Sequence, residues 1–146
     1  GGLLTMPALL RDFFINRARP FIFSTAPSPL TAHLAHQAII HVADNPALQD
    51  GMADHIALAR SCFSGLNLGE GQDSQIFPII IGDDRIAVTM ATLLQGRGFD
   101  VRAIRPPTVS PGTARLRISL TLNVTADDIL RLSTALREAL TVAEAA

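Results

Sequence analysis

Residues 112–120, with the sequence GTARLRISL, constrain the fold of this chain more than any other stretch. Successive side chains of a β-strand point to opposite faces of its sheet. An extended conformation therefore places Leu116, Ile118 and Leu120 on one face, and Arg115 and Arg117 on the other. This alternation predicts a strand that is buried on its apolar face and cationic on its opposite face.

Two explanations of the cationic face stay open at this point. The arginines could be ordinary surface residues that pair with Asp127 or Asp128. Alternatively, Arg115 and Arg117 could bind an anion, because two guanidinium groups hold a carboxylate through bidentate hydrogen bonds that a lysine cannot reproduce. The spacing of the residues does not decide between these explanations.

Hydrophobic spacing predicts most of the remaining secondary structure. Apolar residues that recur every three or four positions predict helices at residues 9–17, 30–42, 46–66 and 85–95. Short apolar runs predict strands at residues 21–23, 75–81 and 99–104. Pro27 and Pro29 predict a turn that excludes both helix and sheet.

A last helix is expected to begin at Thr125, with Asp128 three residues later in the position of a capping box. Its predicted buried side includes Leu130, Ser133 and Leu136. From residue 74 onward, the order strand, helix, strand, strand, helix predicts an α+β domain in which helices cover one face of a short sheet.

The composition of the chain excludes several functions. Its 146 residues suit one domain, and a net charge of −1 argues against general nucleic-acid binding. All 12 basic residues are arginine, so no lysine of this chain can form a Schiff base. No apolar run reaches the roughly 18 residues of a membrane span. We therefore expect a soluble, cytoplasmic protein, whose 48% apolar content suggests that some apolar surface meets a partner.

The histidines and the cysteine do not predict a metal site. His33 and His36 have a helical spacing, but no carboxylate or cysteine occupies a matching position, so we assign them to a solvated or interface surface. Cys62 lies within a helical pattern and is predicted to be a packed thiol rather than a nucleophile.

Four segments, in order, carry a resemblance to a known enzyme family. They are RPFIFSTA at residues 19–26, FPIIIGD at 77–83, AIRPPTV at 103–109 and GTARLRISL at 112–120. Together they closely resemble the C-terminal part of the pyridoxal-phosphate-dependent α-oxoamine synthases, and among these the 8-amino-7-oxononanoate synthase family. The resemblance extends over nearly the whole chain.

The resemblance implies a decarboxylative condensation that depends on pyridoxal 5′-phosphate (PLP). Such enzymes bind an amino acid as an imine of PLP, attack an acyl-CoA thioester, and release carbon dioxide and coenzyme A. For this family the substrates would be L-alanine and pimeloyl-CoA, or the pimeloyl carrier protein, in biotin synthesis. The alternatives are 2-amino-3-oxobutyrate CoA ligase, 5-aminolevulinate synthase, serine palmitoyltransferase, or a non-catalytic module for amino-acid binding or dimerisation.

The resemblance also assigns residues to a site. Arg117 matches the arginine that holds the amino-acid carboxylate, Thr108 matches a substrate-contacting position, and Arg105 assists. Ser24 and Thr25 match a turn that reaches across a homodimer to the cofactor phosphate, where hydroxyl and N–H groups are suitable donors. Arg115 is expected to have a structural role.

The PLP lysine of the family has no counterpart in these residues, and the resemblance places it upstream. We therefore expect the chain to be the C-terminal piece of an enzyme of the PLP fold type I, inactive alone. On this interpretation, residues 1–29 end the large PLP-binding domain, residues 30–66 form connecting helices, and residues 67–146 form the small α+β domain.

Overall fold

The computed structural model describes residues 3–69 and 73–144 and divides the chain into two compact units, Gly1–Asp44 and Asn45–Ala146. The first unit contains helices α1 (Ala8–Arg17), α2 (Arg19–Ile22) and α3 (Pro29–Asp44). The second unit contains, in chain order, α4 (Pro46–Cys62), β1 (Ile76–Gly82), α5 (Asp84–Gly96), β2 (Arg102–Ile104), β3 (Ala114–Ser119) and α6 (Ala126–Glu144). No helix within the described ranges is long and apolar enough to cross a membrane.

The first unit buries none of its described residues, although many of them are apolar. Phe13, Phe21 and Phe23 are 58%, 65% and 76% exposed, respectively. A large exposed apolar surface is typical of an element that packs against another chain or domain. The exposure agrees with the expectation from composition that part of the chain meets a partner.

The helices predicted at residues 9–17 and 30–42 are confirmed, but two other predictions for this unit are wrong. Residues 21–23 do not form a strand, because Arg19–Ile22 is the helix α2 with Pro20 in its first turn, where the missing N–H costs nothing. Pro29 does not exclude a helix, because it is the first residue of α3. In both places a proline lies in the first turn of a helix.

The second unit is built on a three-stranded antiparallel sheet with the strand order β1-β3-β2. The central strand β3 pairs with both neighbours, so β1 and β2 run parallel to each other without sharing hydrogen bonds. In this register Leu116 lies opposite Ile79 on β1 and Ala103 on β2. The predicted α+β class is therefore confirmed.

One face of this sheet forms the core of the second unit. Phe77, Leu116 and Ile118 are at most 3% exposed. Phe63, which follows α4, packs edge to face on Phe77 with 5.5 Å between the ring centroids. Each fully buried side chain of this size contributes about 1.5–3 kcal/mol of transfer free energy. The alternation predicted for β3 is thus confirmed.

Helix α6 covers this core with one side only. Ile129, Leu132, Ser133 and Leu136 are buried, whereas Leu130, which we predict to be buried, is 50% exposed. Leu130 follows Ile129 by one residue and therefore lies about 100° further around the helix. This rotation takes it out of the buried stripe.

Helix α6 also holds the C-terminal end of α4. The Ser133 hydroxyl donates to the Cys62 carbonyl at 2.8 Å, and Arg137 Nη2 donates to the Cys62 and Ser64 carbonyls at 2.9 Å. These bonds satisfy carbonyl groups that a helix end leaves without intrahelical partners. Cys62 is half-buried against the core. Helix α4 therefore packs within the second unit. The predicted domain boundary at residue 67 concerns the complete enzyme, and it stays a prediction.

Two helices of this unit begin with side-chain caps. Asp83 accepts hydrogen bonds from the N–H groups of Arg85 at 2.8 Å and Ile86 at 3.0 Å. At α6, the Thr125 N–H donates to the Asp128 carboxylate at 3.0 Å and the Asp128 N–H donates to the Thr125 hydroxyl at 3.2 Å, which confirms the predicted cap. The bonds from the Thr125 N–H and then from its hydroxyl hold the pKa of Asp128 below its ordinary value of 3.8.

Asp128→Asn should destabilise the second unit at neutral pH, and the difference from the parent should diminish in acid. Because the pKa of Asp128 is lower in the folded state than in the unfolded state, its stabilisation is complete above 3.8 and is lost as the pH falls through the folded-state pKa. Urea denaturation at neutral pH, and again below the folded-state pKa, measures this difference.

Asp127→Asn is the matched control, because Asp127 lies in the same first turn of α6 but outside the capping box. This substitution should change the free energy of unfolding little at either pH. Equal destabilisation by the two substitutions would contradict the capping role of Asp128.

Candidate functional site

The face of the sheet opposite the core carries the candidate site. We call it the open face and define it by the outward-facing side chains of Pro78, Ile80, Arg102, Ile104, Arg115 and Arg117. In register, Arg117 lies between Pro78 and Arg102. Three guanidinium groups therefore lie among apolar side chains on one surface.

Arg117 is exposed, and its guanidinium forms no hydrogen bond or ion pair within residues 3–69 and 73–144. The Asp128 carboxylate contacts Thr125 and Arg131 instead of the arginines of β3. Asp127 likewise forms no ion pair with these arginines in the described part of the chain. The surface-pairing explanation thus has no support here, and Arg117 is available to bind an anion.

Arg115 has a different environment, although it lies on the same face. It is half-buried, and its Nε donates to the Thr113 carbonyl at 3.0 Å. Thr113 in turn donates to the Ser110 carbonyl from its N–H at 3.1 Å and from its hydroxyl at 2.8 Å. Arg115 therefore fixes the beginning of β3 to the preceding loop, as its expected structural role requires.

The loop between β2 and β3 contains two more of the predicted site residues. The Thr108 N–H donates to the Arg105 carbonyl at 3.0 Å and closes a turn in which the Pro106–Pro107 peptide bond is cis. Arg105 and Thr108 are both exposed. Arg105, Thr108 and Arg117 therefore belong to one hairpin, which β2, this loop and β3 form.

Ser24 and Thr25 lie in the first unit, after α2. The Ser24 hydroxyl donates to the Pro20 carbonyl, and the Ser24 N–H donates to the Phe21 carbonyl. The Thr25 hydroxyl is exposed and forms no hydrogen bond within the part of the chain that the structure describes. Thr25 is therefore the better candidate to donate a hydrogen bond to an anion.

Sequence reasoning missed Arg102 as a site candidate. Its Nε lies 2.8 Å from Asp100 Oδ1, and β2 pairs it directly with Arg117. No local sequence signal predicts this pairing, because it depends on the position of β3 between β1 and β2.

Arg115→Met should destabilise the second unit by about 1–2 kcal/mol, because it removes a charged hydrogen bond to Thr113. Arg117→Met should leave the free energy of unfolding nearly unchanged, because this guanidinium is exposed and has no partner in the described residues. Urea denaturation of the three chains measures the difference. Similar losses in both variants would contradict this division of roles.

Comparison with known families identifies the class of protein that has this fold. Residues 1–136 match the family described as aminotransferase class I and II. Because the match spans most of the chain, this chain belongs to the aminotransferase class I and II family. PLP is the cofactor of this family.

Within this family, the chain is similar to proteins named 8-amino-7-oxononanoate synthase. It is 40% identical to the protein of that name from Maricaulis maris, over its whole length, and 38% identical to the one from Cupriavidus taiwanensis. It covers 36% and 38% of these two proteins, so it spans less than half the length of the relatives that it matches.

Solved structures share the fold. The chain is similar to serine palmitoyltransferase from S. paucimobilis, with a TM-score of 0.78 at 23% identity, over 92% of this chain and 35% of that one. For 8-amino-7-oxononanoate synthase from Francisella tularensis, the TM-score is 0.74 at 21% identity, over 93% and 40% of the chains. These likenesses establish the fold alone, and they confirm the predicted PLP fold type I.

The residues of this chain fit one end of PLP. Thr25 offers an exposed hydroxyl that can donate to a phosphate, whereas the Ser24 hydroxyl can do so only when it leaves the Pro20 carbonyl. No lysine is present among the 146 residues, so none of them can bind the aldehyde of PLP covalently. The chain can therefore contribute to phosphate binding, whereas the covalent attachment of PLP needs residues outside it.

Proposed function

We propose that these residues supply the C-terminal, substrate-binding part of a PLP-dependent acyltransferase. The reaction condenses L-alanine with pimeloyl-CoA to 8-amino-7-oxononanoate and releases carbon dioxide and coenzyme A, in biotin synthesis. A pimeloyl carrier protein is the alternative acyl donor. The names of the relatives at 38% and 40% identity support this reaction. The observation that carries the proposal is the exposed Arg117 on the open face, which has no ion pair within the described residues.

Arg117 is the group that holds the carboxylate of L-alanine. A guanidinium stays charged at every physiological pH and offers two parallel donors to one carboxylate. Thr108 contacts the substrate from the neighbouring turn, and Arg105 at the start of that turn adds positive charge. Fixing the carboxylate orients the bonds at the alanine Cα, which is the reacting atom.

PLP, when it is bound, supplies the electron sink for the reaction at the alanine Cα. Ser24 and Thr25 reach across a homodimer and bind the phosphate of the PLP in the partner subunit. A dimer would also cover exposed apolar groups such as Phe21 and Phe23, which directly precede these hydroxyls. Because the chain has no lysine, its part in the reaction is binding and orientation, and it is inactive alone. The single Cys62 suits a reducing compartment such as the cytoplasm.

The visible absorption of the complete enzyme that contains these residues tests the proposal. PLP should give an absorption band, L-alanine should shift it, and pimeloyl-CoA should then yield 8-amino-7-oxononanoate. L-serine and glycine are the comparison substrates. A stronger response to either of them would assign the chain to another α-oxoamine synthase. Failure to bind PLP would favour a non-catalytic module.

Arg117→Ala in the complete enzyme should raise the KM for L-alanine by a factor that corresponds to about 2–5 kcal/mol, because a charge pair with the carboxylate is lost. Steady-state kinetics with varied L-alanine measures this factor. Arg85→Ala is the control, since Arg85 is an exposed arginine at the start of α5. An unchanged dependence on L-alanine in the Arg117 variant would exclude its role in carboxylate binding.

Thr25→Ala should weaken the retention of PLP without raising the KM for L-alanine at saturating PLP. The reason is that the hydroxyl donates to the cofactor phosphate and does not contact the amino acid. Titration of the absorption band with PLP measures the affinity, and Thr25→Ser, which keeps the hydroxyl, is the control. Equal PLP affinity in the alanine variant and the parent would remove Thr25 from the site.

A further inference from the structure

We propose that Arg102 and Arg117 bind one carboxylate group together, and that Asp100 is the internal counter-ion that this carboxylate replaces. The inference rests on the proposed function, because it concerns an anionic substrate group of the same site. It adds Arg102 and Asp100, on β2 and just before it, to the residues that the motifs identify.

The register of the sheet places the two arginines directly opposite each other on β2 and β3. Residues in this relation have Cβ atoms about 4.5–5.5 Å apart, and like charges at this spacing destabilise a sheet. Both guanidinium groups nevertheless lie on the open face. An anion that contacts both groups converts their mutual repulsion into a shared attraction.

Asp100 supplies one negative charge to this pair of arginines through a contact with Arg102. Its Oδ1 lies 2.8 Å from Arg102 Nε. A guanidinium offers two edges to a carboxylate, one formed by Nε with an Nη atom and the other by the two Nη atoms. Asp100 has a single contact, at Nε, so a carboxylate that approaches the other edge of Arg102, next to Arg117, can displace it.

The charges on the open face favour an additional anion. Arg102, Arg115 and Arg117 contribute three positive charges, and Asp100 contributes one negative charge. Arg115 is engaged with the Thr113 carbonyl, which leaves Arg102 and Arg117 as the exposed cations.

The existing ion pair is weak enough for a substrate to displace. The side chains of Arg102 and Asp100 are 63% and 76% exposed. Ion pairs exposed to this degree contribute little to stability, because water screens the charges. A carboxylate that binds both Arg102 and Arg117 therefore competes successfully with Asp100.

Two groups of the proposed substrates have this chemistry. One is the α-carboxylate of the amino acid, and the other is the terminal carboxylate of a dicarboxylic acyl group. Both groups are carboxylates of the same size and charge. Substrates that differ in these groups are therefore needed to distinguish them.

Arg102→Gln in the complete enzyme should raise the KM for the substrate with the bound carboxylate by about threefold to tenfold, with kcat nearly unchanged, because uniform binding is lost. Arg102→Lys retains the charge and should restore most of the affinity. Asp100→Asn should lower the same KM by about twofold to fourfold, because a competing counter-ion is removed. Combining Asp100→Asn with Arg102→Gln should reproduce the effect of Arg102→Gln alone, because Asp100 acts through Arg102.

The choice of substrates identifies the carboxylate. A higher KM for L-alanine indicates the amino-acid carboxylate. A higher KM for pimeloyl-CoA but not for heptanoyl-CoA, which lacks the terminal carboxylate, indicates the acyl group. No change in any KM, or an equal increase for both thioesters, would overturn the inference. If Arg117→Ala impairs alanine binding while Arg102→Gln changes nothing, the inference fails and the proposed function stands.

A titration of the complete enzyme that contains these residues tests the inference independently of activity. Acetate and pimelate are added while the Nε–Hε signals of the arginine side chains are followed by NMR. The signals of Arg102 and Arg117 should move together with one affinity, and those of Arg85 should not. Signals that do not respond, or that respond with unrelated affinities, would overturn joint binding. This outcome would not depend on whether the proposed function is right.

Discussion

The central position of β3 in the sheet determines most features of the second unit. Because β3 pairs with both neighbouring strands, its alternation decides which face of the whole sheet is buried. Leu116 and Ile118 lie in the core, and this fixes Arg115 and Arg117 on the open face. A register shift of one residue would exchange the two sets and bury unpaired charges, at a large cost in free energy. One alternation therefore specifies both the arrangement of the sheet and the location of the candidate site.

The use of arginine as the only strongly basic residue limits what this chain can contribute to a reaction. An arginine cannot lose its proton at physiological pH, so it neither forms a Schiff base nor transfers protons. It can bind and orient an anion, which is the role that we propose for Arg117. Arg115 shows that the same side chain also stabilises the fold, through its bond to the Thr113 carbonyl. The environment of each guanidinium, rather than its type, separates binding from structure.

Local patterns predicted the parts of the fold that local interactions determine. The alternation of β3 and the Thr125 cap of α6 are both confirmed. Pro20 and Pro29 mislead a local analysis, because the effect of a proline depends on whether a helix lies before or after it. Arg102 is absent from the site predicted from sequence, because its position opposite Arg117 follows from the strand order. The sequence motifs identified one hairpin of the candidate site. The arrangement of positive and negative charges at that site became clear only from the register of the strands.

The exposure of the open face sets the condition for tight binding. Two unit charges about 4 Å apart attract each other by about 1 kcal/mol in water and by about 4 kcal/mol at an effective dielectric constant of about 20. Arg102 and Arg117 face water in this chain, so the weaker value applies to it. A partner domain or subunit that covered the open face would strengthen the same contacts by excluding water. In the enzyme that we propose, tight binding of the carboxylate therefore requires a covering domain or subunit, even though the guanidinium groups proposed to recognise it belong to this chain.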